Sequence, residues 1–98
     1  MKVVWSKLAK SDYQGQIDYL FEEQSEKAAI RFIEQVEDVL YLLKSSPEMY
    51  PPSEIRKGLR KAVVNKWINL YYGFEANNQT IQLYRFWHNS QDPRKLKF

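Results

Sequence analysis

Cysteine is absent from the 98 residues and histidine occurs once. The first absence excludes disulfides and thiolate metal sites and suits a reducing compartment. The second, beside a back half poor in carboxylates, argues against a zinc or magnesium site built by the protein. Purely apolar runs are only a few residues long, so no stretch reads as a membrane span. The opening Met1-Lys2-Val3-Val4-Trp5-Ser6 also lacks an apolar segment of signal-peptide length. No nucleophile elbow, phosphate loop, dinucleotide fingerprint or zinc spacing occurs. These exclusions predict a soluble cytoplasmic protein that carries no metal and no cofactor and does not engage a membrane.

What is present is apolar content of 44% and aromatic content of 15%, ample for a packed interior. The length predicts one domain over residues 1–98, with no room for a second core. Charge is divided unevenly. Residues 1–49 carry six Lys/Arg against nine Asp/Glu, a net −3, and residues 50–98 carry nine against three, a net +6. An acidic front half joined to a basic back half bears on partners rather than on fold. A basic surface of this kind meets phosphate or an acidic protein, or is simply solvated.

Periodicity changes once along the chain. Lys2 to Trp5 is β-prone, and Ser6 is placed to cap a helix running from Lys7 to about Glu23. Its stripe is Leu8, Ala9, Tyr13, Ile17, Leu20 and Phe21, with Gly15 inside it at a cost of about 1 kcal/mol relative to Ala. Ser25 caps a second helix whose cleaner stripe is Ala29, Phe32, Ile33, Val36, Val39, Leu40 and Leu43, closed by Lys44 and Pro47. The short link predicts an antiparallel helical hairpin with Glu22, Glu23, Glu34, Glu37 and Asp38 on its solvated sides. After a loop containing Pro47, Pro51 and Pro52, three strands follow: Leu59 to Val64, Ile68 to Phe74 and Thr80 to Trp87, with a turn at Asn77-Asn78. Leu70, Tyr72 and Phe74 share one face. Residues 92–98 have room for one helical turn. The fold class is α+β in the order β-α-α-β-β-β, the hairpin covering one face of a mostly antiparallel sheet and the other face left free.

Cations gather on the strands and their margins at Arg56, Lys57, Arg60, Lys61, Lys66 and Arg85. Aromatics interleave at Trp67, Tyr71, Tyr84, Phe86 and Trp87. Alternation does not decide whether Arg60, Ala62 and Val64 or Leu59, Lys61 and Val63 face outward. Cations with flat rings on an open sheet suit phosphate and base stacking. They suit a protein-binding patch equally, and core packing accounts for the rings too. His88, beside Arg85 and Trp87, has the titration range for proton transfer in metal-independent RNA cleavage, or is a surface residue in a turn.

Taken in order, several short segments carry a resemblance over nearly the whole chain. They are Lys2-Val3-Val4-Trp5-Ser6, Ile17-Asp18-Tyr19-Leu20, Ser46-Pro47-Glu48-Met49-Tyr50-Pro51 and Leu59-Arg60-Lys61-Ala62-Val63-Val64-Asn65-Lys66. Leu70-Tyr71-Tyr72 and Phe86-Trp87-His88-Asn89-Ser90-Gln91-Asp92-Pro93-Arg94-Lys95-Leu96 complete the set. The sequence resembles the RelE/ParE superfamily of bacterial type II toxin–antitoxin toxins. The resemblance implies a small cytoplasmic toxin neutralised by an acidic, partly disordered antitoxin. RelE-like members cleave mRNA in the ribosomal A site; ParE-like members lack that residue set and poison DNA gyrase.

By position, Arg60 matches a basic place on the second strand, while the family's strand-three arginine falls at Asn69 and its arginine after the last strand at Ser90. Loss of two charge-assisted contacts, each worth about 1.5–3 kcal/mol, favours a ParE-like or degenerate toxin. The alternatives are a ribosome-dependent endoribonuclease using His88, Arg60, Lys61 and Arg85, and a non-toxic binding scaffold. The resemblance further implies antitoxin or target contacts at Arg56, Lys57, Arg60, Lys61, Lys66, Trp87, Arg94 and Lys95.

Overall fold

Ser6 and Ser25 each hold extended backbone, and each side-chain oxygen accepts from the amide three residues on, Ala9 and Ala28 respectively at 3.0 Å. Both helices therefore start where their capping serines place them. The computed structural model describes residues 1–98. It comprises β1 (Lys2–Trp5), α1 (Lys7–Glu23), α2 (Glu26–Ser45), β2 (Arg60–Val63), β3 (Ile68–Glu75), β4 (Thr80–His88) and a 3₁₀ turn (Pro93–Lys95). The element order is the one periodicity predicts, with strand ends displaced by a residue or so.

The four strands lie in the order β1-β4-β3-β2. β1 runs parallel to β4, and the other two pairings are antiparallel, so the sheet is mixed. The long connection from β1 to β4, through both helices, β2 and β3, is what permits the parallel pair.

One face of the sheet packs on the hairpin. Phe32, Val36, Val39 and Leu43 of α2 meet Ala62, Leu70, Tyr72, Ile81, Leu83 and Phe86 in the main core. The α2 stripe is buried as its spacing requires. On α1 only Ala9 is fully buried, with Tyr13, Ile17 and Leu20 half-buried against the core. Leu8 and Phe21, expected in that stripe, are exposed.

The opposite face is not free along its whole length, which corrects the expectation of an open sheet. Leu59, Tyr71 and Leu96 form a second small core there, flanked by Ile55, Tyr84 and Trp87. The chain after β4 folds back over this face, and Phe98 sets its ring edge-on against Tyr84 at 5.6 Å. Gly73 lies directly beneath: a Cβ there would meet the Tyr84 ring at 3.2 Å. No helix is long and apolar enough to cross a membrane.

Candidate functional site

A single irregularity decides which side chains reach the second face. Along β3 and β4 the pairs run Ile68↔His88, Leu70↔Phe86 and Tyr71↔Arg85, but the next is Tyr72↔Leu83. Tyr84 is the extra residue of a β-bulge. A bulge reverses the alternation of the strand beyond it. Before it Ile81 and Leu83 turn to the helices; after it Phe86 and His88 do. Arg85 and Trp87 emerge opposite, beside Tyr71.

The open part of the second face is a hollow of about 430 Å³ beside β2. Lys61, Val63, Lys66, Asn69, Tyr71 and Trp87 contribute to its wall, which contains no carboxylate. Two asparagines build its rim. Asn65 Oδ1 accepts from the Trp67 and Ile68 amides at 2.8 and 2.9 Å, closing the β2–β3 turn. Asn89 Nδ2 donates to the Lys66 carbonyl at 2.7 Å, and its Oδ1 accepts from Asn69 at 2.7 Å. The Lys66 ammonium lies 4.6 Å from the centre of the Trp67 ring. Lys61, Lys66 and Trp87, all anticipated as binding residues, are brought together here.

The other anticipated residues are not. Ala62 and Val64 face the helices, so Arg60 lies on their side of the sheet. Its Nη1 donates to the Tyr50 carbonyl at 2.6 Å and the Glu48 carbonyl at 3.2 Å, with Nη2 3.4 Å from the Glu48 carboxylate. This arginine braces the proline-rich loop. Arg85 is held more firmly. Its Nε and Nη2 donate to the Asp12 carboxylate at 2.7 and 2.9 Å, and its Nη1 donates to the Lys97 carbonyl at 2.7 Å. Asp12 also accepts from the Phe86 amide at 3.1 Å, where β4 has outrun its β1 partner. These bonds hold the Arg85 guanidinium above its ordinary range, against the opposing effect of burial. Its carbon centre sits 5.3 Å from the Trp87 ring centre.

His88 lies near the α1 end of the sheet, where a cavity of about 440 Å³ is bounded by Gln16, Tyr19, Leu20 and Trp67. The Ser90 amide donates to its Nδ1 at 3.1 Å and the Ser90 hydroxyl lies 2.7 Å from the same atom. Accepting an amide proton at Nδ1 leaves the neutral ring's proton on Nε2. Arg60 opposes Tyr72 and His88 opposes Ile68, four residues apart on β3, or about 13 Å along the strand. Lys61 projects from the other face. Arg85 and His88 line one small cavity of about 200 Å³ with Asp12 and Gln16, but Arg60 and Lys61 lie elsewhere, so the four residues named for a nuclease centre do not all converge.

Arg56 and Lys57 border a separate hollow of about 230 Å³, with Arg56 5.0 Å from the Phe98 ring centre. Arg94 is paired with Asp92 at 2.9 Å and, like Lys95, is exposed in the 3₁₀ turn. Asp12, Asn89 and Val63 were not picked out by sequence reasoning. Only Asp12 had a signal: it is a carboxylate on α1 one residue from Tyr13, hence close to the buried stripe.

A family model described as the ParE toxin of the type II toxin–antitoxin system parDE matches residues 3–93. No curated protein matches in sequence. Among solved structures, a chain of the chromosomal ParDE TA system from P. aeruginosa is similar, with a TM-score of 0.75 and 18% identity over 90% of this chain and 95% of that one. A YoeB/ParE toxin from Agrobacterium tumefaciens has a TM-score of 0.68 at 16% identity, over 91% of this chain and 99% of that one. At such identities the structural likeness concerns the fold.

Proposed function

The chain belongs to the family of ParE toxins of type II toxin–antitoxin systems, and from that premise we propose that it acts by binding DNA gyrase rather than by cutting RNA. It works in the cytoplasm and is silenced by an acidic antitoxin laid across its basic second face. The observation that carries this reading is the disposition of its cations. Cleaving RNA without a metal needs a proton-transfer group and several cations focused on one phosphate. Here Asn69 and Ser90 stand at two of the arginine positions, and both are engaged in hydrogen bonds to neighbours. Arg60 and Arg85 are committed to Glu48 and Asp12. His88 looks toward α1. By contrast Lys61, Lys66 and Trp87 form a polar rim with an aromatic anchor, the composition of a protein-binding surface.

Induced expression in bacteria tests the choice. Growth arrest with a DNA-damage response and intact translated mRNA is expected. Codon-positioned mRNA cleavage, read by primer extension and abolished by His88→Ala, would overturn it in favour of a nuclease.

A further inference from the structure

We infer that the hollow beside His88, where α1 meets the end of the sheet, is where the toxin grips its target, and that its occupant is an uncharged, apolar-tipped loop of gyrase. The inference rests on the gyrase reading above and adds the place of contact, apart from the basic face left to the antitoxin.

The hollow measures about 440 Å³, a size that accepts a ligand or an inserted side chain. Its aromatic walls come from two elements. Tyr19 stands near the end of α1 and Trp67 immediately precedes β3, and each is 54% accessible. The rings of Trp5, Tyr13, Phe32 and Phe86 are spent on one another in the core, with centres 5.0 to 6.5 Å apart. Tyr19 and Trp67 take no part in that cluster. Exposed tyrosine and tryptophan are the side chains that most often dominate the binding energy of an interface.

Polar groups without internal partners complete the lining. The glutamine side chains that bond within the chain are Gln14, Gln35, Gln79 and Gln82. Gln16, Gln24 and Gln91, which border the hollow, keep their amides free. His88 has its Nδ1 occupied by the Ser90 amide, which leaves its Nε2 proton to donate. Donors and acceptors of this kind pair with the backbone and amide groups of an incoming loop.

Charge selects the occupant. No Lys, Arg, Asp or Glu lines the hollow. In the smaller cavity alongside it, Arg85 and Asp12 are spent on each other. A nucleic-acid strand would find no cation within it to hold a phosphate, and an acidic antitoxin none to meet a carboxylate. Depletion of charge around exposed aromatics is the composition of an interface core. The two surfaces meet at one point: Lys66 borders the basic hollow, and its ammonium lies over the Trp67 ring. An antitoxin carboxylate drawn to Lys66 would lie beside Trp67 and obstruct the target there, so silencing needs no overlap with the rest of the hollow.

The test uses the purified toxin, gyrase and the antitoxin encoded beside the toxin's gene. Tyr19→Ala and Gln24→Glu, both at exposed positions, should keep the thermal midpoint and the antitoxin affinity. Each should raise the toxin concentration for half-inhibition of supercoiling at least tenfold. A photoreactive benzophenone side chain at position 19 should cross-link the otherwise unaltered toxin to gyrase; this readout stands even if a variant misfolds. Full inhibition by either folded variant, or a cross-link to DNA or antitoxin with none to gyrase, overturns the site while leaving the gyrase reading intact. Loss of antitoxin affinity alongside loss of inhibition would give the hollow to the antitoxin and also overturn the inference. An unaltered toxin that does not inhibit gyrase at all overturns the gyrase reading, and the site with it.

Discussion

Replacing Asp12 with alanine should destabilise the fold more than any other single surface-facing charge change. Its carboxylate serves three donors from β4: two on Arg85 and the Phe86 amide. The side chains of Arg85 and Asp12 are 13% and 18% accessible, so the pair is largely shielded. Removing one partner of a buried pair costs about 3–5 kcal/mol, because the remaining charge has lost its counterpart. Two features temper that figure. Some solvent reaches both groups, and the Lys97 carbonyl still receives one Arg85 bond. The stranded Phe86 amide acts the other way, adding about 1 kcal/mol or more.

The net expectation is a loss of about 2–4 kcal/mol. For a domain of this size that is a fall in Tm of roughly 10–25 °C. Urea melts of the wild type, Asp12→Ala, Arg85→Ala and the double variant form a cycle that isolates the coupling. Asp12→Asn, which keeps an acceptor for Phe86, should fall between wild type and alanine. A loss under about 1 kcal/mol, or a coupling near zero, would show that this contact is not what ties α1 to the unpartnered end of β4.

Three further outcomes are expected. The Tyr72 phenol, pushed up to about 12 by burial and only partly drawn back by the Arg60 charge, donates to the Pro47 carbonyl at 2.7 Å. Unfolded tyrosine ionises near 10. Its folded value is the higher one, so the contribution is complete below about pH 10 and fades as pH rises through 12. The difference corresponds to roughly 3 kcal/mol. Alkaline melts should show this limb, and Tyr72→Phe should flatten it; an identical limb in the variant would contradict the assignment. Gly15 has open space around an added Cβ and ordinary helical backbone. Gly15→Ala should therefore raise stability by about 0.5–1 kcal/mol in a denaturant titration, and a loss would mean that the helix needs the gap. Truncating Leu96 to alanine should cost about 2 kcal/mol, near the low end for a leucine at the margin of a core, and should raise the fluorescence exposure of Trp87.

The parts of this architecture that depend on neighbours in sequence were legible before the structure. Ser6, Ser25 and the α2 stripe state their own roles, because capping and helical periodicity act within a few residues. The strands were legible as runs of β-prone residues, and Leu70, Tyr72 and Phe74 were correctly assigned to one face. The facing of β4 was not. Simple alternation from Ile81 and Leu83 would send Arg85 and Trp87 into the core and leave Phe86 outside. Tyr84 as the bulged residue reverses this, and a bulge depends on the partner strand.

The second small core was hidden for a similar reason. Leu96 and Phe98 read as two apolar residues in a basic tail until the chain returns over Tyr71 and Tyr84. Of the candidate site, Lys61, Lys66 and Trp87 were legible by type and do share a hollow. Arg60, Arg85 and His88 were legible by type too, but Arg60 is drawn away to Glu48, and Arg85, which shares a small cavity with His88, is committed to Asp12.

The most direct test of the central claim is a supercoiling assay with purified gyrase, the chain, and its antitoxin added in increasing amounts, run beside a translation mixture probed for mRNA cleavage. Inhibition or cleavage-complex trapping by the chain, relieved by equimolar antitoxin and accompanied by intact mRNA, is the predicted result. Unimpaired gyrase together with cut message would contradict it.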